Sequence, residues 1–379
     1  MPVRIALTVE ALSPQLTGIG RYCWELAQRL PAHPGVGSVE YYAGSDRIRD
    51  LAHCLESPSR TPPWSRKLMA PLRKIQHRLR SAPHADLVHG PNYLLPDWAE
   101  EGIVTVHDLS VFKFPEMHPV ERVLQFEREF QRTIDRATHI ITDCETIRTE
   151  VIALTGFSAT RVTAVPLGIG PEFRPLEVAE RMPVLRQHGL PLTGYGLTVS
   201  SLEPRKRIDR LLTAWSELPR PLRDAYPLVI AGAAGWHNDE LHSQIAEGRS
   251  EGWVLPLGFV PDADLPAIYA GARLFVYPSL YEGFGLPPLE AMASGVPTIV
   301  AAASCLPEVT KGGARLVQPE DIDSFATAIA EALEDGEWRS EATSRGIHVA
   351  GSYSWRTCVD QTVQVYEKSI QYLRNSAGR

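Results

Sequence analysis

Short apolar runs separated by helical patterns recur along the whole chain, and such an alternation folds most readily into parallel sheets with helices on their faces. Candidate strands at residues 4–9, 39–43, 86–89, 103–106, 139–142 and 162–167 form a first series. A second runs through 196–200, 228–231, 254–259, 274–277, 298–301 and 315–317, with helical spacing at 208–218 and 324–333. The expected class is therefore α/β, with two Rossmann-like parallel-sheet domains facing across a cleft. At 379 residues the chain is longer than one hydrophobic core usually serves. Residues 1–175 make the first domain and 195–354 the second. Gly168-Ile169-Gly170-Pro171-Glu172-Phe173-Arg174-Pro175 and the polar stretch 176–194 read as the connection, with 176–194 the linker proper. Ligands of such sheets bind beyond the carboxyl ends of the strands, so the cleft is the expected site.

Composition narrows the class of function. The chain is 44% hydrophobic and 22% charged, as a soluble globular protein is, and its net charge of -7 argues against generic nucleic-acid binding. The opening run from Met1 to Glu10 carries a charge inside a short apolar stretch, which suits a first strand and not a signal peptide, and no apolar run is long enough to span a bilayer. Five scattered cysteines without a C-x-x-C pair indicate neither a zinc site nor a disulfide framework, so a reducing cytoplasm is the expected compartment. One basic segment stands apart. Trp64–Arg80 places Leu68, Leu72, Ile75 and Leu79 at helical spacing among arginines and lysines, which fits peripheral contact with an anionic inner-membrane surface. Pro71 interrupts it, and an ordinary helix with a solvated basic face fits the same residues.

The densest constellation is Tyr281-Glu282-Gly283-Phe284-Gly285-Leu286-Pro287-Pro288-Leu289-Glu290, directly after the apolar run 274–277. A strand, a glycine loop and a helix start in that order let backbone approach a phosphate, with the helix amino end supplying partial positive charge. Glu282 and Glu290 call for a second explanation, since a carboxylate accepts two hydrogen bonds from a vicinal diol; one can hold a ribose and the other a sugar ring. A first-turn acid and a loop charge fit the isolated pair equally well. Ser201, Arg205 and Lys206 follow the first strand of the second half, where cations can neutralise a diphosphate without a metal. Gly18 and Gly20 follow the first strand of the chain and resemble a phosphate loop, although the third glycine of a dinucleotide fingerprint is missing, and a plain loop turn accounts for them as well. His107-Asp108 ends another strand, placing His107 where it can bond a sugar hydroxyl or pair structurally with its neighbour. The D-x-D sequences at Asp262–Asp264 and Asp321–Asp323 read as helix caps and not as metal ligands.

Together these segments resemble the retaining GT-B glycosyltransferases of family 4 (group 1), which include bacterial mannosyl- and rhamnosyltransferases of O-antigen and exopolysaccharide assembly. Val165-Pro166-Leu167-Gly168, Glu203-Pro204-Arg205-Lys206, Ser304-Cys305-Leu306-Pro307-Glu308-Val309 and Tyr353-Ser354-Trp355 extend the likeness to nearly the full length. The resemblance implies that residues 355–379 form a helix crossing back to an acceptor-side first domain. It implies that Glu290 holds the nucleotide ribose, that Glu282 with the amides of Gly283, Phe284, Gly285 and Leu286 holds the donor sugar, and that Arg205 and Lys206 grip the diphosphate. His107 then sits by the sugar. The implied reaction retains configuration by front-face attack, with the departing phosphate oxygen helping to deprotonate the acceptor hydroxyl. It needs no cofactor and no metal. The donor expected is a GDP-sugar, mannose or a related deoxyhexose, and the acceptor a polyprenyl-diphosphate-linked saccharide at the cytoplasmic membrane face. Ser201 departs from the pattern, standing where many members carry an arginine, and Arg205 is expected to take that role. Cys144 stands where serine is common.

Overall fold

The computed structural model describes residues 2–56, 84–233, 235 and 239–377; the basic segment 64–80 lies outside them. The chain divides into two compact units. One comprises Met1–Leu109, Leu124–Leu167 and Trp355–Arg379, the other Ser110–Val123 and Gly168–Ser354. Among the described residues no helix is long and apolar enough to cross a membrane.

The first unit carries the strands Val3–Thr8 (β1), Val36–Ala43 (β2), Asp46–Ile48 (β3), Leu87–Gly90 (β4), Gly102–Val106 (β5), Ala137–Thr142 (β6) and Val162–Ala164 (β7). They lie in the order β3-β2-β1-β4-β5-β6-β7, all parallel except the hairpin of β2 with β3, where Tyr41 faces Ile48. The second unit carries Gly196–Val199 (β8), Leu228–Ala231 (β9), Val254–Gly258 (β10), Leu274–Tyr277 (β11), Thr298–Ala301 (β12) and Arg315–Val317 (β13) in the order β10-β9-β8-β11-β12-β13. That order is the doubly wound one, and its direction reverses between β8 and β11; in the first sheet it reverses between β1 and β4. Every residue of β5, β6, β9, β11 and β12 is buried, as expected of parallel strands covered on both faces, and this is why β9 and β11 stand out as continuous apolar runs.

Three segments depart from the sequence expectation. Within 176–194, read as linker, Val178–Gln187 is a helix, opened by a reciprocal Glu177 and Glu180 cap and packed against the helix Leu265–Gly271 of the second unit. Its polar surface and the internal Pro183, which lacks the N–H of a helical bond, hid it. Residues 110–123 belong to the second unit although they lie inside the first half of the sequence. The Phe114 ring rests on Tyr281 at 5.5 Å, with Lys113 Nζ over the same ring at 4.9 Å. Residues 168–175 also join the second unit, where Ile169 bridges to Ser354.

The closing helix Trp355–Ala377 groups with the first unit and packs on β6 and on the helix Gly18–Arg29. It is fastened by a buried polar contact. His89 at the end of β4 places Nδ1 2.7 Å from the Tyr366 hydroxyl and Nε2 2.9 Å from Thr105 Oγ1. Burial pushes the His89 imidazole down to about 3, so it is neutral and bridges two hydroxyls.

Candidate functional site

The loops after β8 and β11, on either side of the reversal point, meet through charge. Lys206 Nζ donates to Glu282 Oε1 at 2.5 Å and to the Tyr277 hydroxyl at 3.2 Å. Arg205 donates from Nη1 to the Tyr281 carbonyl at 2.9 Å and to Glu282 Oε2 at 3.4 Å, and from Nε to Glu203 Oε2 at 3.0 Å. Ser201 Oγ donates to the other Glu203 oxygen at 2.7 Å. Lys206 and Glu282 are 7% and 6% exposed, so the pair is held in low dielectric. Burial pushes the Glu282 carboxyl up, but the charges of Lys206 and Arg205 and the lysine bond outweigh it and hold the group at about 2. Lys206 is lowered from its ordinary value as well: burial and the Arg205 charge lower it, while Glu282 opposes them without cancelling them.

Backbone fixes this arrangement. Leu280 N–H donates to the Arg205 carbonyl at 2.9 Å, and the Ser279 hydroxyl to the same oxygen at 3.3 Å, tying the two loops. The Glu282 carbonyl accepts from Ser304 Oγ at 2.7 Å and from the Cys305 thiol at 3.2 Å, which also donates to the Phe284 carbonyl. Gly285 has φ +102°, a left-handed conformation that disfavours side chains, and starts the helix Leu286–Ala293. Pro287 and Pro288 remove two amides from that helix's first turn, leaving Phe284, Gly285 and Leu286 to present N–H groups at its mouth. Glu290, in the same helix, accepts from the Tyr269 hydroxyl on Oε2 at 2.9 Å. The structure thus brings Ser201, Arg205, Lys206 and Glu282 into one connected set, with Gly283, Phe284, Gly285, Leu286 and Glu290 on the adjoining loop and helix.

In the first unit His107 is 5% exposed, and its partner is not the adjacent Asp108. Nδ1 lies 2.8 Å from Asp143 Oδ2 at the end of β6, and Nε2 lies 2.8 Å from the Pro91 carbonyl. A carbonyl only accepts, so Nε2 carries a proton, and one further proton is shared between Nδ1 and Asp143, whose carboxyl burial pushes up. Burial drives the His107 pKa down, but the charge and bond of Asp143, with the Pro91 carbonyl, raise it above the ordinary value. Tyr22 and Tyr93 flank the ring edge-on at 5.1 and 5.5 Å. Both nitrogens are therefore engaged within the unit.

Gly18 opens the helix Gly18–Arg29, and the Thr17 hydroxyl caps Gly20 N–H at 3.3 Å. A Cβ on Gly20 would meet the Ala11 carbonyl at 3.0 Å, so a close approach of backbone explains that glycine. Of the two D-x-D sequences, Asp321 caps its helix by accepting from Ser324 N–H at 2.9 Å. Asp264 precedes a helix too, but its carboxylate goes to His188 Nε2 at 2.8 Å. Cys144 performs the duty expected of serine, its Sγ accepting from Ile147 N–H at 3.5 Å. Residue-by-residue reading passed over Asp143, Tyr269 and Tyr277. Asp143 was discoverable by the strand-end rule that singled out His107; Tyr277 has the appearance of one more apolar strand residue, and nothing local distinguishes Tyr269.

Comparison with known proteins bears on the family and the fold. Residues 16–173 match the family model described as Glycosyltransferase Family 4, and residues 193–349 match Glycosyl transferases group 1. The chain is 37% identical to O-antigen chain mannosyltransferase B of Escherichia coli, over 96% of this chain and 100% of the relative. Among solved structures, sucrose-phosphate synthase from Thermosynechococcus elongatus superposes with a TM-score of 0.75 at 20% identity, covering 97% of this chain and 98% of that one. WaaG, a glycosyltransferase involved in lipopolysaccharide biosynthesis, gives 0.71 at 17% identity over 95% and 99%. At such identities the two likenesses establish the fold, GT-B, while the full-length relative and the paired family matches establish more: the chain belongs to the family 4 glycosyltransferases.

Proposed function

We propose that the chain is a retaining, metal-independent hexosyltransferase, carrying mannose or a related deoxyhexose from a GDP-sugar to a lipid-linked saccharide in O-antigen synthesis. The observation that carries it is the convergence of Arg205 and Lys206 on Glu282 beside the Gly285 helix start. The Escherichia coli relative, a mannosyltransferase by name, supplies the choice of sugar. In this reading the two cations and the amides of Phe284, Gly285 and Leu286 take the diphosphate, and Glu290, steadied by Tyr269, takes the ribose. Glu282 uses its remaining lone pairs for hydroxyls of the donor sugar.

The sugar's bond to the phosphate oxygen breaks as the acceptor hydroxyl forms the new glycosidic bond on the same face. The acceptor proton passes to the departing phosphate, so no separate carboxylate base is required. The positive groups already in place supply the stabilisation of the leaving charge. His107 remains the catalytic candidate of the first unit; a direct bond from it to a sugar hydroxyl requires Nε2 to leave the Pro91 carbonyl.

The test is transfer from GDP-mannose, against UDP- and ADP-sugars, to polyprenyl-diphosphate-linked and free saccharides, with and without a chelator, reading the product anomer by NMR. An α-linked product from GDP-mannose, undiminished by chelation, is expected. A β-linked product or chelator-abolished turnover contradicts the mechanism. Better use of a UDP-sugar replaces the donor and leaves the fold and site as described.

A further inference from the structure

A cation pair destined for a diphosphate, Lys206 buried and Arg205 partly so, has a rival inside its own chain. Glu282 receives Lys206 on one oxygen and Arg205 on the other, and Lys206 and Glu282 are each more than nine-tenths buried. Tyr277, 2% exposed, completes the set: its oxygen accepts from Lys206 Nζ at 3.2 Å. The loop bearing this carboxylate is fastened through the Glu282 and Phe284 carbonyls to Ser304 and Cys305, so the charge is not free to swing far away. Any phosphate that reaches the two cations meets a fixed negative charge already bonded to both.

Resting on the reading that Arg205 and Lys206 receive the donor diphosphate, we propose that Glu282 is a built-in competitor for those cations, limiting how tightly the nucleoside diphosphate product is held. The leaving product has one more ionisable oxygen than the donor, so an unopposed cation pair holds product more strongly than donor, and turnover then waits on release. A carboxylate in the same low-dielectric set opposes the more highly charged ligand most. It also keeps Lys206 paired while the site is empty, when a buried positive charge beside Arg205 is otherwise costly, whereas Arg205 has Glu203 as well. This role is separate from any contact of Glu282 with sugar hydroxyls, because it acts on ligands that carry no sugar.

Calorimetric titration of GDP and of inorganic pyrophosphate into wild type and Glu282→Gln separates the two roles. Glu282→Gln is expected to bind both ligands on the order of 10-fold more tightly while its transfer rate falls. Repeating the titration in two buffers of different ionisation enthalpy adds a readout that a purely structural role does not move. Without Glu282, Lys206 gives up its proton more readily when the site is empty and takes it back on binding, so the variant takes up more protons on binding than wild type does. Should Glu282→Gln fail to fold, Glu282→Asp keeps the charge but withdraws it by one methylene, and is expected to tighten GDP by about two- to threefold. Unchanged or weaker GDP binding in whichever variant folds overturns the proposal. Failure of wild type to bind GDP, UDP, ADP or pyrophosphate overturns the nucleotide reading beneath it, and the proposal with it.

Discussion

At the ends of β5 and β6 in the first unit, His107 uses both ring nitrogens on fixed acceptors, Asp143 and the Pro91 carbonyl, between two tyrosine rings. At the ends of β8 and β11 in the second, two cations converge on one carboxylate, beside a helix that starts at Gly285. The same strand-end rule places both clusters, yet they differ in what they leave over. In the first, both nitrogens of one ring are engaged, and one oxygen of Asp143 stays buried without a partner among the described residues. The second pairs two cations with two carboxylates, Glu282 and Glu203, next to a helix start. The first set orients one ring; the second keeps exchangeable ion pairs where an anion can bind.

The largest break in this contrast is Lys206→Met. It leaves Glu282 buried without its nearest cation, and breaking such a pair costs about 3–5 kcal/mol. A lower melting temperature and loss of GDP binding are expected together. Adding Glu282→Gln should recover most of the stability but not transfer. An unchanged melt for the single variant means the pair is not held as described.

Asp143→Asn tests the first set. With the anion gone, burial dominates and the His107 pKa should fall below its present raised value, read from the ring proton shifts in an NMR titration. Leaving buried polar atoms poorly matched costs about 1–3 kcal/mol. Catalytic constants should fall with little change in GDP affinity, whereas Lys206→Met changes GDP affinity first.

Stability against pH distinguishes the clusters by sign. Glu282 sits at about 2 folded against 4.5 unfolded, so its contribution is complete above pH 4.5 and is lost as pH falls toward 2. His107 is raised above 6.5, so its contribution is complete below pH 6.5 and is lost as pH rises through the raised value. His89, at about 3, adds stability above pH 6.5 that is lost as pH falls toward 3. Melting curves from pH 3 to 9 should therefore lose part of their acid slope in Glu282→Gln and part of their alkaline slope in Asp143→Asn. The smallest effect is expected for Cys144→Ser, which exchanges a weak thiol acceptor for a hydroxyl at a helix cap and should raise stability by about 1 kcal/mol or less.

Both sheets were legible in the sequence because parallel strands buried on both faces are written as unbroken apolar runs, as in β9 and β11. The helix Val178–Gln187 was not, since its buried contribution is a single residue, Leu185, and the rest of its surface resembles a linker. The placement of residues 110–123 with the second unit depends on two rings, Phe114 and Tyr281, far apart in the chain, and no local pattern encodes that pairing. Within the site, Arg205, Lys206, Glu282 and Glu290 were legible as charges where strands end. Their connections were not: the local reading left His107 to its neighbour Asp108 or to a sugar, whereas its partner Asp143 comes from the adjacent strand, 36 residues on. Sequence spacing reports which strand end a residue occupies, and the sheet order decides whom it meets there.

The most direct measurement is a calorimetric titration of GDP, UDP and ADP into wild type and Glu290→Ala. A nucleotide site in the second unit predicts GDP binding that exceeds UDP and ADP and is lost when the Tyr269-supported carboxylate is removed. Binding of none of the three to folded wild type, or GDP binding indifferent to Glu290, contradicts it.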